Sequence, residues 1–326
     1  MLNGKSILVT GGTGSFGKAF VKRALEEFDP RKIIVYSRDE FKQYQMSQMF
    51  SSDRLRFFLG DVRDEKRLYR ALCGVDLVIH AAAIKQVPAS EYNPFEAVQT
   101  NIMGAQNLIN ASLEAGVQKV VALSTDKACN PVNLYGATKL CSDKLFIAAN
   151  AYSGKMVTRF AVVRYGNVIG SRGSVVPLFM KLAETGELPI TDERMTRFWI
   201  TLPQAVKFVV DSFNIMTGGE LYIPKIPSMR LTDLAEAIAP GCRYRTIGIR
   251  PGEKLHEMMI SRDDSRNLYE YGDRYIKLPD FPFWRVVLPE GATEVPEGFE
   301  YSSDTNRQWL DVEGLKSLLQ QKGVVE

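Results

Sequence analysis

The stretch Ser6-Ile7-Leu8-Val9-Thr10-Gly11-Gly12-Thr13-Gly14-Ser15-Phe16-Gly17 decides the fold class of this chain. An apolar run stops at glycines, and a helical stripe of Val21, Leu25 and Phe28 follows it. Glycines at this point leave room for a pyrophosphate, whose oxygens would meet backbone N–H groups at the positive end of a helix. Between a strand and an amphipathic helix, the pattern predicts a dinucleotide site rather than a purely structural turn.

The same rhythm continues through the first half of the chain. Apolar, β-branched runs recur at residues 32–36, 55–59, 77–80 and 120–123, with helical segments between them. Such runs suit strands that are buried on both faces of a parallel sheet. The alternation predicts an α/β protein with a doubly wound parallel sheet, the Rossmann fold.

One helix of this half carries start and stop signals. Asn93 is a predicted N-cap, Pro94 suits the first turn, and Glu96 would close a capping box. Gly116 would end the helix in a left-handed conformation.

Composition excludes several classes of function. The net charge of +3 is too small to indicate a nucleic-acid partner, and no apolar run approaches the length of a membrane span. The four cysteines lack metal-ligand spacing and indicate reduced thiols in a cytoplasmic protein. With only two histidines we expect no metal site, and we expect His80 to be a packed core residue and Cys129 a small buried one.

The second half is less regular, with proline, glycine and mixed charge from residue 177 onward and helical stretches at 206–213 and 231–238. This change predicts two domains. Residues 1–170, together with about 198–222, would form the dinucleotide-binding Rossmann domain. Residues 171–197 and 223–326 would form a smaller mixed α/β domain that closes over the substrate.

The end of the second strand bears on the choice of cofactor. Ser37, Arg38 and Lys42 offer a hydroxyl and two cations, which suit the 2′-phosphate of NADP better than the free ribose hydroxyl of NAD. The alternative is a solvated charged turn, because Asp39 and Glu40 partly neutralise the cations. Further along the sheet, Asp61 would lie at the adenine amino group, and the small residues 81–83 would let the backbone approach the cofactor.

A second group of polar residues points to catalysis. Tyr135 and Lys139 are one helical turn apart, as a hydride-transferring pair requires. Asp126 and Lys127, directly after an apolar run, offer an additional acid and base. The competing interpretation is a capping or surface ion pair, but catalytic groups collect at the carboxyl ends of such strands.

Together these residues resemble the extended short-chain dehydrogenase/reductases, most of which act on nucleotide sugars. The resemblance covers essentially the whole chain and rests on the glycine pattern, Asp61, Asn101 with Gly104, Tyr135-x-x-x-Lys139, Arg164-Tyr165-Gly166-Asn167-Val168 and Arg250-Pro251-Gly252-Glu253. Within that family, 124–128, 135–139, 170–177, 195–199 and 250–257 look like the UDP-N-acetylglucosamine 4,6-dehydratases that invert C5. Lys127 stands where dTDP-glucose dehydratases carry a glutamate, and Tyr135 where membrane-bound retaining dehydratases usually carry methionine.

The resemblance implies a redox-neutral lyase with tightly bound, recycled NADP, acting in pseudaminic acid biosynthesis and flagellin glycosylation as a dimer or hexamer. Tyr135 would take the 4-hydroxyl proton, with its pKa lowered by Lys139, and Thr125 would position O4. Lys127 would remove the C5 proton, which requires a pKa lowered by burial and by cations such as Lys85 and Lys139. Asp126 would protonate the leaving 6-hydroxyl, which requires a raised pKa.

The binding residues that the resemblance implies fall into two sets. The cofactor set is Gly11, Thr13, Gly14, Ser15, Phe16, Gly17, Ser37, Arg38, Asp39, Glu40, Phe41, Lys42, Asp61, Val62, Ala81, Lys85, Tyr135, Lys139, Val168, Ile169, Gly170, Ser171 and Arg172. The UDP-N-acetylglucosamine set is Lys85, Leu123, Ser124, Asn167, Val175, Thr191, Arg250 and Glu253. The alternatives are a nucleotide-sugar 4-epimerase, a reductase or another UDP-sugar dehydratase on the same scaffold, and a dinucleotide sensor without catalysis.

Overall fold

A computed structural model describes residues 1–154, 156–169, 175–281, 284 and 286–320 of the chain. The strands are β1 Ser6–Thr10, β2 Lys32–Ser37, β3 Leu55–Leu59, β4 Leu77–His80, β5 Lys119–Leu123, β6 Arg159–Val163, β7 Asn167–Val168, β8 Glu187–Ile190, β9 Thr196–Ile200, β10 Leu221–Pro224, β11 Ser228–Arg230, β12 Arg243–Thr246, β13 Met258–Ile260, β14 Leu268–Tyr271, β15 Arg274–Lys277, β16 Thr293–Glu294 and β17 Tyr301–Ser302.

The helices are α1 Ser15–Glu27, α2 Glu40–Met49, α3 Glu65–Leu72, α4 Val87–Tyr92, α5 Pro94–Val98, α6 Gly104–Glu114, α7 Leu134–Tyr152, α8 Val175–Ala183, α9 Leu202–Ile215, α10 Leu231–Ile238 and α11 Val312–Gln320. A π-helical turn spans Gln99–Met103, and 3-10 turns span Asp126–Ala128 and Asp263–Ser265. None of the helices in the described ranges is long and apolar enough to cross a bilayer.

The large sheet has the strand order β16-β14-β15-β10-β6-β5-β4-β1-β2-β3. The run from β3 to β10 is parallel throughout, and β15, β14 and β16 extend it as antiparallel strands. The predicted doubly wound α/β fold is therefore confirmed. The strand order reverses between β1 and β4, and in such sheets ligands bind in the crevice at the carboxyl ends of the strands beside this point.

Buried apolar side chains form two clusters. One surrounds the large sheet and includes Val9, Val35, Val121 and Phe160. The other lies among α8, α10 and α11 and includes Phe179, Leu234 and Leu315. Residues from the carboxyl ends of the parallel strands therefore lie next to a second packed layer, which encloses a cavity between them.

Asn93 is the N-cap residue of α5 and Pro94 begins the helix, as predicted, but the predicted capping box is wrong. The Asn93 side chain makes no capping hydrogen bond, because its Nδ2 donates to the Ala89 carbonyl at the end of α4. Glu96 instead pairs with Arg63 at 2.8 Å. The predicted stop is confirmed: Gly116 has φ +70°, and the Val117 N–H donates to the Ser112 carbonyl across it.

Candidate active site

A cavity of about 1080 Å³ lies at the carboxyl ends of the parallel strands. Most of the predicted site residues line it, whether they come from the glycine loop, from the strand ends or from the second layer. They are Gly11, Thr13, Gly14, Ser15, Phe16, Ser37, Arg38, Asp39, Lys42, Asp61, Val62, Ala81, Lys85, Leu123, Ser124, Thr125, Asp126, Lys127, Tyr135, Lys139, Asn167, Val168, Val175, Thr191, Arg250 and Glu253.

Four predicted cofactor residues lie elsewhere: Gly17, Glu40, Phe41 and Ile169. Gly17 packs α1 against the preceding loop, since a Cβ there would lie 2.1 Å from the Gly12 carbonyl oxygen. Glu40 and Phe41 are exposed on the first turn of α2, and Ile169 is buried in the cluster around α8. The predictions for Gly170, Ser171 and Arg172 fall outside the described residues.

The glycine loop fits a pyrophosphate. Gly11 has φ +63°, and a Cβ at this position would lie 2.8 Å from the Ala82 Cα, so a side chain would fill the space between loop and strand end. Gly14 begins α1 without a side-chain cap. The first N–H groups of α1 are thus not capped by a side chain and lie beside the cavity, as anion binding requires.

The far end of the cavity, at the tip of β2, carries mixed charge. Arg38 lies 3.5 Å from the carboxylate of Asp61, which also accepts hydrogen bonds from Arg63. Lys42 pairs with Asp39, whose side chain caps α2. Burial would raise the pKa of Asp61, but hydrogen bonds from Arg63 outweigh it and lower that pKa. Carboxylates thus balance both cations that were predicted to receive a phosphate.

The Thr125–Lys127 segment forms a hydrogen-bonded turn at the end of β5. The Thr125 hydroxyl donates to Asp126 Oδ1 at 2.9 Å, and Lys127 Nζ donates to the same oxygen at 3.0 Å. Asp126 is buried, and its Oδ2 has no hydrogen-bond partner within the described part of the chain. Burial raises the pKa of Asp126 more than Lys127 lowers it, which agrees with the acid expected there.

The expected lowering of the Lys127 pKa is wrong. Burial acts in that direction, but the carboxylates of Asp126 and Glu257 outweigh it and raise the pKa of Lys127. Glu257 Oε1 lies 3.2 Å from Lys127 Nζ, on a residue to which the sequence analysis gave no role. Lys127 Nζ therefore lies between the carboxyl groups of Asp126 and Glu257, which favour its ammonium form.

The expected lowering of the Tyr135 pKa is also wrong in this structure. Burial raises the pKa of Tyr135 to about 12, and the opposing cation is Lys127 rather than Lys139. Burial lowers the pKa of Lys139, and Asp143, one turn further along α7, partly offsets this effect. Lys139 and Tyr135 nevertheless line one cavity, as the sequence predicted.

A buried network below the site fixes the end of β5. The Ser124 hydroxyl donates to Asp143 at 2.6 Å, and Arg164 approaches the same carboxylate at 3.3 Å. Ser124, predicted to bind substrate, therefore has its hydroxyl committed to the protein interior. The two residues without a catalytic expectation behave as predicted: His80 is buried against Thr10, and Cys129 is buried as a free thiol.

The other end of the cavity carries the residues predicted to bind a sugar nucleotide. Arg250 lies 3.7 Å from Glu253 and is more than half exposed, so its guanidinium can turn toward a ligand. Asn167 Oδ1 and Glu253 Oε2 are buried and have no hydrogen-bond partner in the described ranges. Such atoms are costly unless water or a ligand satisfies them.

Glu257 is the main residue that sequence reasoning missed. It is 3% exposed, and its second neighbour, Arg197, lies 3.8 Å away. Both residues lie in segments that carried the family resemblance, but their separation along the chain gives no sign that they meet at Lys127.

Residues 7–279 match the polysaccharide biosynthesis protein family. The chain is 59% identical to a Campylobacter jejuni UDP-N-acetylglucosamine 4,6-dehydratase (inverting) over 98% of both chains. It is 40% identical to a UDP-glucose 4-epimerase of Rickettsia canadensis over 97% of this chain and 95% of the other.

A solved structure shares the fold. The dTDP-glucose 4,6-dehydratase DesIV of Streptomyces venezuelae, determined with NAD bound, superposes with a TM-score of 0.70 and 26% identity, covering 77% of this chain and 86% of that chain. This chain therefore belongs to the polysaccharide biosynthesis protein family, a branch of the extended short-chain dehydrogenase/reductases.

Proposed function

We propose that this chain is a UDP-N-acetylglucosamine 4,6-dehydratase that inverts C5, a redox-neutral hydro-lyase. The observation that carries the proposal is the ion pair of Lys127 with the buried Asp126, which shares one cavity with Tyr135 and Lys139. An oxidation at C4 needs only the second pair, whereas removal of water across C5 and C6 needs a further acid and base. The 59% identity to an enzyme of that name supports the same conclusion.

The cofactor that we propose is NADP, retained through the reaction. The uncapped start of α1 and the space kept by Gly11 support a dinucleotide, and Ser37, Arg38 and Lys42 at the tip of β2 support the 2′-phosphate. Held by the glycine loop and the tip of β2, the dinucleotide would supply a hydride acceptor for C4 and a hydride donor for C6.

The resting ion pair becomes an acid–base pair through one proton transfer. When the proton on Lys127 Nζ crosses the 3.0 Å hydrogen bond to Asp126 Oδ1, a neutral amine faces a protonated carboxyl group. The amine then takes the C5 proton, and the carboxyl group protonates the departing 6-hydroxyl, which leaves as water. Inversion requires that a proton is returned to C5 on the opposite face of the ring, and the donor that we propose is Lys127, which by then carries the proton taken from C5.

The proton balance also involves Tyr135 and Thr125. For Tyr135 to take the O4 proton as phenolate, its pKa must fall below the value of about 12 that burial gives it, and Lys127 acts in that direction. Each turnover also releases a proton from Asp126 within the water. The proton on Tyr135 must therefore reach Asp126 before the next cycle. Thr125, whose hydroxyl donates to Asp126 Oδ1 at 2.9 Å, lies on that route.

The second layer would hold the sugar nucleotide. Arg250 would bind diphosphate oxygens through its planar guanidinium, and Asn167 and Glu253 would satisfy their buried oxygens on the ligand. We propose residues 1–170 with about 198–222 as the cofactor-binding domain, and 171–197 with 223–326 as the sugar-nucleotide domain. The separate apolar cluster around α8, α10 and α11 supports a second unit there, whereas β14, β15 and β16, also within 223–326, extend the large sheet.

We further propose a cytoplasmic homo-oligomer, a dimer or hexamer, that supplies pseudaminic acid biosynthesis and flagellin glycosylation. The four free thiols support the compartment, and the exposed rings of Tyr92 and Phe95 on α4 and α5 support self-association.

A nucleotide-sugar 4-epimerase is the second candidate, favoured by the 40% identity to the Rickettsia protein of that name. An epimerase returns the hydride to C4 and leaves the 6-hydroxyl in place. Mass spectrometry of the product of UDP-N-acetylglucosamine separates the two, because a dehydratase product has lost one water and an epimerase product has the mass of the substrate.

A further inference from the structure

The ammonium of Lys127 is held from two sides. Asp126 accepts at 3.0 Å, and Glu257 lies at 3.2 Å on the chain segment that precedes β13. A long, flexible lysine side chain keeps one position only if several groups hold its three N–H donors. Two carboxylates therefore restrict Nζ more than the neighbouring Asp126 alone.

Glu257 is itself fixed in place. Its backbone N–H donates to the Ser303 hydroxyl at 2.9 Å, and its carbonyl accepts from the Ser303 N–H at 2.8 Å. Arg197, anchored through hydrogen bonds to the carbonyls of Thr196 and Leu255, faces the carboxylate at 3.8 Å. Hydrogen bonds to Ser303 thus fix the backbone of Glu257, and Arg197 holds its carboxylate in place.

Glu257 does not line the large cavity. It lines a second cavity of about 170 Å³, which shares Lys127 and Arg197 with the large one. Of the two ion pairs of Glu257, the shorter one, at 3.2 Å, is with Lys127, which also lines the large cavity. Any effect of Glu257 on the reaction would therefore act through Lys127.

We propose that Glu257 is a positioning residue that holds the Lys127 Nζ for proton transfer at C5. Because Glu257 also pairs with the Lys127 ammonium, the ion pair between Lys127 and Asp126 is weaker. Asp126 can then hold a proton for the leaving hydroxyl. This inference rests on the proposed dehydratase function.

The test separates C4 oxidation from elimination in the purified, cofactor-loaded enzyme. Rapid-quench mass spectrometry with UDP-N-acetylglucosamine in D₂O follows the C4-oxidised sugar that keeps its 6-hydroxyl, the dehydrated product and deuterium at C5. In Glu257→Gln, we expect elimination and C5 exchange to slow by roughly 10- to 100-fold, because reacting groups are misplaced. The C4-oxidised sugar then accumulates and KM changes little. Glu257→Asp, which keeps the charge, recovers part of the rate.

Glu220→Gln is the matched control. Glu220 is also buried, but it accepts hydrogen bonds from Thr217 and the Gly218 N–H away from the cavity. This variant should lose thermal stability while keeping the wild-type ratio of elimination to oxidation.

Two results overturn the inference: unchanged elimination in Glu257→Gln, or oxidation and elimination that slow equally without recovery in Glu257→Asp. Failure of the wild-type enzyme to form dehydrated product contradicts the proposed function instead, before any variant is compared.

Discussion

At the scale of single residues, the proposed chemistry depends on charged side chains that the fold brings together at one site. Lys127 lies between Asp126 and Glu257, and Arg197 balances the second carboxylate. Because Arg197 and Lys254 help keep Glu257 ionised, Asp126 is the carboxyl group of this cluster whose pKa rises. Of the two carboxyl groups, Asp126 therefore holds a proton more readily than Glu257, because of where each lies in the cluster.

Replacing Tyr135 with phenylalanine should lower kcat by about 10²- to 10⁴-fold, since the base for the 4-hydroxyl is lost. The rate of C4 oxidation, which rapid-quench mass spectrometry measures, should fall together with kcat. Tyr301→Phe is the control, because Tyr301 is a buried tyrosine whose hydroxyl donates to the Ile226 carbonyl away from the cavity. Full C4 oxidation in Tyr135→Phe would remove Tyr135 from the mechanism.

His80 should make stability dependent on pH. Burial lowers its pKa to about 3, from about 6.5 in the unfolded chain. Between these values the unfolded chain binds one more proton, so the free energy of unfolding falls as the pH falls, by about 2 kcal/mol from pH 7 to pH 5. Urea unfolding at both pH values should show this decrease in wild type and a smaller one in His80→Gln. Equal decreases in wild type and in His80→Gln would show that His80 does not cause the pH dependence.

The single residues that sequence could predict are those whose partners lie nearby in the chain. Asp126, Lys127, Tyr135 and Lys139 fall within fourteen positions, and they line one cavity. Glu257 escaped prediction because its contact with Lys127 depends on the packing of β13 beside the Asp126–Ala128 turn. The pKa predictions for Lys127 and Tyr135 failed for the same reason, since the missing carboxylate and the degree of burial are tertiary features.

At the scale of elements, the close approach of α7 to the Asp126–Ala128 turn sets the site geometry. Gly136, on the first turn of α7, makes this possible: a Cβ there would lie 2.1 Å from the Lys127 carbonyl oxygen. A side chain at this position would push Tyr135 away from Lys127.

Gly136→Ala should therefore reduce kcat by roughly 10²-fold through misplacement, and destabilise the fold. Alanine usually stabilises a helix by about 1 kcal/mol relative to glycine. A loss of stability in Gly136→Ala would therefore indicate a clash of the added Cβ. Gly314→Ala in α11, whose nearest contacts are side-chain atoms at 3.2 and 3.4 Å, is the control. Thermal unfolding and steady-state kinetics measure both effects, and a stabilised, fully active Gly136→Ala would refute this close packing.

The tip of β2 should set the cofactor preference. Arg38→Ala should weaken NADP binding by roughly 10-fold while leaving NAD binding unchanged, because a charge-assisted hydrogen bond to the 2′-phosphate is lost. Titration calorimetry of the protein freed of cofactor measures both affinities. Arg54→Ala, which removes an ion pair with Asp29, is the control. Equal weakening of NADP and NAD would argue against a 2′-phosphate contact.

Sequence predicted elements best where local signals were complete. The stretch 231–238 coincides with α10, and 55–59 and 77–80 coincide with β3 and β4. At Asn93, the residues of a capping box are present, but the Asn93 side chain donates instead to the Ala89 carbonyl in the preceding helix α4. Local patterns therefore identified where elements lie, while competition between neighbours decided how their ends are capped.

At the scale of the whole molecule, the parallel sheet brings distant strand ends to one edge. Thr10, His80 and Leu123 end adjacent strands, so the glycine loop and the catalytic turn meet at the same cavity. The alternating pattern predicted this arrangement. It did not predict the β14–β15 hairpin beside β10, because that pairing joins segments about fifty residues apart and follows no strand–helix alternation.

The most direct test of the account is proton NMR of the purified enzyme with UDP-N-acetylglucosamine in D₂O, without added cofactor. We predict a new 6-methyl signal, deuterium at C5 and a 4-keto sugar of inverted C5 configuration. A C4 epimer that keeps its 6-hydroxymethyl group would contradict the dehydratase assignment and favour an epimerase.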